Sequence, residues 1–89
     1  MKAIVTVVGK DRVGIIAGVC NALAECNVNV LDISQTVMQG YFTMMMVTEV
    51  SESSVPLAEL CTKMETKGNE MGLSIRVQRE DIFDAMHHI

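Results

Sequence analysis

The hydrophobic period of this chain switches from strand-like to helix-like and back, twice over, and that rhythm restricts the fold more than any single residue does. Lys2 to Val8 reads KAIVTVV, a short, β-branched and nearly all apolar run that fits a strand with little solvent on either face. Gly9 to Gly14 (GKDRVG) is a polar loop with glycine at both ends. From Ile15 the spacing becomes helical: Ile16, Val19/Cys20, Leu23 and Cys26 fall three or four apart, with Ala17, Gly18 and Ala22 as small neighbours that permit close packing. Asn27 tolerates the left-handed conformation and closes that helix. Asn29 to Met38 alternates, Leu31, Ile33 and Val37 one way and Asp32, Ser34 and Thr36 the other, which predicts a half-solvated strand. Gln39-Gly40 is a short turn, so the next strand returns as a hairpin.

Tyr41 to Val50 is that strand, with Phe42, Met44, Met46 and Val50 on one face and Tyr41, Met45 and Val47 on the other. Ser51 to Ser54 and Pro56 mark a loop and a second helix start. Its stripe is Leu57, Leu60/Cys61, Met64 and Met71, with Glu59, Lys63, Glu65 and Lys67 outward and Gly72 as the stop. Leu73, Ile75 and Val77 then alternate with polar residues in a last strand. The order predicts an α+β, ferredoxin-like β-α-β-β-α-β sandwich: a four-stranded antiparallel sheet with two helices on one face. Residues 1–80 form the single domain, and 81–89 are an apolar tail, read as one or two helical turns, with Ile82/Phe83, Met86 and Ile89 on one side. In this topology the first and third strands are central, and they are the two with apolar side chains on both faces. Two helices cover one side of the sheet only. Met45 and Val47, with either Ile4/Val8 or Val5/Val7, then form an apolar patch on the other, so a homodimer is expected, joined edge to edge or face to face, with the tail helping to cover the patch.

Seven Lys+Arg against eleven Asp+Glu give a formal charge of −4, which argues against a surface built to neutralise phosphates. Aromatic content of 3% removes the stacking platforms used for nucleic acid, so no direct nucleic-acid partner is expected. No apolar run approaches the ~20 residues of a membrane span, and the N-terminus does not read as a secretory signal. Cys20, Cys26 and Cys61 match no disulfide framework or CxxC pair and lie on helix stripes, where a free thiol packs as a small apolar group. Reduced thiols point to the cytoplasm. His87 and His88 are adjacent and diverge by about 100° on a helix, so they do not form a chelating pair. The methionines read as adaptable core, Arg76 and Arg79 as a solvated face, and Asp32 as a guard against edge-strand aggregation. No metal, cofactor, Ser/His/Asp set or converging carboxylate pair is indicated, and the chain is expected not to be an enzyme.

A strand ending in Gly9, then Asp11-Arg12-Val13-Gly14-Ile15-Ile16, a small-residue helix, and Asn27-Val28-Asn29-Val30-Leu31-Asp32-Ile33 together resemble the ACT domain, a regulatory module that commonly senses amino acids. The resemblance covers the whole chain by element order, and its specific part is the D-R-x-G-I turn with the V-N-[IV] strand start. The chain also resembles the small stand-alone ACT proteins related to the glycine-cleavage transcriptional repressor. Arg79 to His87 resembles the tail of that group. The resemblance implies a ligand between the first loop and the second strand at a subunit interface, at Asp11, Arg12, Gly14, Ile15 and Asn29, with Ile15 as a wall. Gly9 and Asp11 depart from members that carry a polar side chain and an amide at those places.

The residues support that expectation physically. Gly14 turns the backbone tightly into a helix whose first N–H groups lack partners, an anion site suited to an α-carboxylate. Asp11 can accept from an α-ammonium group, and Asn29 offers both a donor and an acceptor. The same residues also have a structural reading: helix-entry glycine, cap-like acceptor, and strand-start amide bonding its own backbone. Two functions therefore stand: a homodimeric module that binds an amino acid or similar metabolite and signals to an unidentified regulatory protein, or an interaction adaptor with a vestigial site.

Overall fold

A computed structural model describes residues 1–81. The elements are β1 (Lys2–Lys10), α1 (Ile15–Glu25), β2 (Asn29–Met38), β3 (Tyr41–Glu49), α2 (Leu57–Met71) and β4 (Ser74–Arg79). The sheet runs β2-β3-β1-β4, every neighbouring pair is antiparallel, and β1 and β3 are central. This is the ferredoxin-like arrangement the alternating periods predicted. Asp81 is the last described residue, so the rest of the tail, with His87 and His88, lies outside the described residues.

Register decides which side chains meet the helices. Ala3, Val5 and Val7 of β1 share a face with Thr48, Met46 and Met44 of β3 and with Val77 and Ile75 of β4. Together with Ile15, Val19 and Leu23 of α1 and Leu60 and Met64 of α2 they form the core. The choice left open between two β1 sets is settled: Val5/Val7 lie under the helices and Ile4/Val8 face away. On that helix-free face Val8 and Met45 are exposed, Val47 is half-buried and Ile4 is buried. Among the described residues Thr48 is the one buried polar side chain, and its Oγ1 donates to the Ala3 carbonyl at 2.9 Å.

Two local expectations change. Ile15, not Ile16, enters the core, and Ile16 is exposed. Gly14 starts α1 from φ 91°, which rotates the helix so that the 15–19–23 row faces the sheet. On β2, Ile33 and Val37 do lie on the helix-bearing side, opposite Met46 and Phe42, yet they remain 42% and 54% exposed because the helices do not reach over this edge strand. Leu31 does not share their row in simple alternation. The pairing register slips between Val30 and Asp32, leaving Leu31 as an extra, exposed residue in a β-bulge.

Two predicted turns form as expected. Asn27 has φ 58°, and its own N–H and that of Val28 close the end of α1 on Ala24 and Leu23. Gln39 and Gly40, at φ 51° and 80°, make the two-residue β2–β3 turn with both central residues left-handed.

Candidate functional site

The loop between β1 and α1 is exposed from Asp11 to Gly14. Its backbone is fixed at both ends: the Asp11 N–H donates to the Gly40 carbonyl at 2.8 Å, and the Gly18 N–H to the Gly14 carbonyl at 2.9 Å. Gly14 is the N-cap residue, no side chain caps α1, and no acidic residue stands in its first turn. The first N–H groups of α1 therefore lack a capping side chain at the positive end of the helix dipole, and Asp11, three residues before the cap, is the nearest acid in sequence. Val13 at the loop tip is fully exposed (102%).

The five predicted site residues do not all converge in one chain. Asp11 and Gly14 meet at the N-terminus of α1. Ile15 turns inward and is buried in the core beneath the loop, so it supports the loop from below and presents no open wall. Arg12 turns away: its Nη2 donates to the Met71 carbonyl at the end of α2. Asn29 lies at the far end of the sheet. It pairs with Glu49, and Glu49 with Lys2, whereas the loop follows Lys10, which pairs with Tyr41. The eight steps from Lys2 to Lys10 span about 26 Å of strand, so Asn29 does not reach the loop of its own chain. Instead it borders a shallow depression of about 350 Å³ with Ala24, Asn27, Val28 and Glu52.

Sequence spacing gave no signal for the partners that fix the loop. Gly40 and Met71 are distant in sequence, and both act through backbone carbonyls. Gly9 has a packing reason. A Cβ placed there would lie 2.4 Å from Leu73 Cδ2, so a larger residue would have to displace that side chain where the α2–β4 turn folds against β1.

The cysteines are free, and among the described residues no group of three or more His, Cys, Asp or Glu could hold a metal. Cys61 donates to the Val77 carbonyl at 3.4 Å, and burial pushes its thiol pKa up, which disfavours a reactive thiolate. A groove of about 450 Å³ between α1 and α2, bordered by Cys26, Lys63 and Lys67, contains none of the predicted site residues. Among the described residues no helix is long and apolar enough to cross a membrane.

With this geometry in place, comparison with known proteins fixes the class. The ACT domain profile matches residues 2–78, and this chain belongs to the ACT domain family. It is 52% identical over 89 residues to the UPF0237 protein of Listeria innocua, the match covering 100% of both chains. Its fold superposes on an ACT domain protein from Streptococcus pneumoniae with a TM-score of 0.83, at 45% identity and 94% coverage of each chain. The regulatory subunit of aspartate kinase from Thermus thermophilus, in a ligand-free form, gives a TM-score of 0.66 at 25% identity over 86% of this chain and 50% of that one. A protein provisionally assigned as a glycine cleavage system transcriptional repressor gives 0.74 at 22% identity over 88% and 44%, a likeness of fold. The aspartate kinase neighbour is by its name a regulatory subunit, and a further likeness of fold, at 14% identity, is to part of a formyltetrahydrofolate deformylase from Pseudomonas putida.

Proposed function

We propose that this chain is a non-catalytic ACT module that binds an amino acid or similar small metabolite between two copies of itself and passes the resulting change in dimer geometry to a regulatory protein. The observation that carries the reading is the uncapped N-terminus of α1 behind the exposed Asp11–Gly14 loop. Its N–H groups suit an α-carboxylate, and Asp11 beside them suits the α-ammonium group.

The placement of Asn29 gives the second copy a reason. β2 is an edge strand of ten residues that carries the exposed apolar Ile33 and Val37; Asp32 and the bulge at Leu31 guard its first half, and the run from Ile33 to Met38 has no charge. An uncharged edge of this kind is a template for pairing. A two-fold pairing of β2 with its copy runs the strands antiparallel, and a register centred on Ser34, with Leu31 bulged out, would set Asn29 of the partner subunit opposite Met38. Met38 pairs with Tyr41, and Gly40 in that same hairpin accepts the Asp11 N–H. Each site would thus be built from the loop of one chain and Asn29 of the partner subunit.

The adaptor reading drew on two departures, Gly9 as a lost ligand contact and Asp11 in place of an amide, and the second still stands. Leu73 packing accounts for Gly9 without any reference to a ligand, which removes the first. Calorimetric titration of the full chain with the proteinogenic amino acids tests the proposal. Saturable heat for at least one, lost in Asp11→Lys and in Asn29→Ala, is expected. No heat and no thermal shift at millimolar concentration for any of them would remove it.

A further inference from the structure

We propose that Arg12 is a positioning residue, a latch that ties the β1–α1 loop to the C-terminal end of α2 and so couples the shape of that loop to the α2–β4 turn. Met71 is the last residue of α2, and its carbonyl is one of those that a helix end leaves without an internal partner. The last turn of α2 contains no basic residue of its own. Arg12, 59 positions away in sequence, supplies both the missing donor and the cation that the negative end of the helix dipole favours.

The latch sits between two close packing contacts made by the same turn. Before the loop, Leu73 occupies the space above Gly9, where a Cβ would lie 2.4 Å from Leu73 Cδ2. After it, Met71 lies over Gly18, where a Cβ would lie 2.7 Å from Met71 Cε. The stretch from Met71 to Leu73 thus touches the chain on both sides of the loop, and Arg12 bonds to it from within. The Gly72 and Leu73 N–H groups return to the Asn69 and Gly68 carbonyls, so the turn is itself held in one shape. A loop that shifts to enclose an anion must carry Arg12 with it, and either stretch the bond to Met71 or move the turn. The coupling to a bound ligand rests on the function proposed above; the latch itself does not.

Amide hydrogen exchange on the full chain tests the latch without any ligand. The Asp11, Gly18 and Leu73 amides, each hydrogen-bonded here, are the reporters, and the Asn27 and Val28 amides at the other end of α1 are the controls. Arg12→Gln is expected to speed exchange at the three reporters by tenfold or more and leave the controls unchanged, with Arg12→Lys recovering part of the protection. Met71→Ala keeps the carbonyl that Arg12 bonds to, so the Asp11 amide is expected to stay protected in that variant while Arg12→Gln exposes it. Unchanged reporters, or an equal rise at reporters and controls, would overturn the latch. In titrations with the proteinogenic amino acids, Arg12→Gln should weaken binding and Arg12→Lys should recover part of it. Weakened binding with the three reporter amides unchanged would overturn the latch and make Arg12 a direct ligand contact. Silence of the wild type toward every amino acid would overturn the binding reading, and the exchange result would still decide the latch.

Discussion

Gly9 and Leu73 share one space: a Cβ on Gly9 would fall 2.4 Å from Leu73 Cδ2, and Leu73 is itself buried in the core. Gly9→Ala is therefore an overpacking change, expected to cost about 1–3 kcal/mol. Because the nearest atom is the end of a side chain, Leu73→Ala in the same molecule should recover part of the loss. Thermal melts of the two single variants and the double variant check this. Additive losses in the double variant would show that the two residues do not compete for space.

Gly68→Ala should be the harsher substitution. There the Cβ would lie 2.8 Å from the Leu73 carbonyl oxygen and 3.3 Å from the Ile75 nitrogen, which are backbone atoms that cannot rotate away. The gain in helix propensity of about 1 kcal/mol for Gly→Ala does not offset that clash. Chemical denaturation should rank Gly68→Ala below Gly9→Ala in stability, and the reverse order would contradict the packing described for the α2–β4 turn.

Glu49 sets an acid dependence. Its carboxylate accepts from the Met1 amine at 2.8 Å and from Ser51, and these bonds lower its pKa from 4.5 to about 2. A depressed pKa contributes stability above the unfolded value and loses it as pH falls through the folded one, so the loss runs from 4.5 down to about 2. Denaturant midpoints at pH 5 and pH 3 should converge for the wild type and Glu49→Gln as pH falls. A constant gap across that window would show that the ion pair does not contribute.

Much of the architecture was legible because the inside–outside pattern of each strand is set by its place in the sheet. β1 and β3 carry apolar side chains on both faces although β3 alternates between buried and exposed, and that pattern agreed with their central place in the topology. What was illegible depends on relationships the period cannot carry. The choice of Ile15 over Ile16 follows from the left-handed start at Gly14. The exposure of Ile33 and Val37 follows from how far the helices extend sideways, not from β2's own sequence. Asn29 looked adjacent to the loop because α1 connects them, yet the helix returns the chain to the opposite end of the sheet. Arg12 looked like a ligand contact because it stands in the motif, and its partner is a backbone carbonyl that no motif records.

The exposed row on β2 should matter to assembly and not to the fold of one chain. Ile33→Lys with Val37→Lys changes two solvent-facing side chains, so each is expected to alter the stability of the single chain by no more than about 0.5 kcal/mol. Sedimentation velocity at micromolar concentration should show the wild type as a dimer and this variant as a monomer. A wild-type monomer, or a variant that remains dimeric, would place the interface elsewhere.

Mixing two defective variants tests the shared site most directly. Asp11→Lys breaks the loop half and Asn29→Ala the strand half, so neither homodimer should bind an amino acid that titrates the wild type. If each site takes its loop from one chain and its amide from the other, a mixed dimer holds one intact site and one doubly broken site. An equimolar mixture, refolded together, should then recover about a quarter of the wild-type sites at wild-type affinity. No recovery on mixing, with both variants folded and dimeric, would contradict a site assembled across two chains.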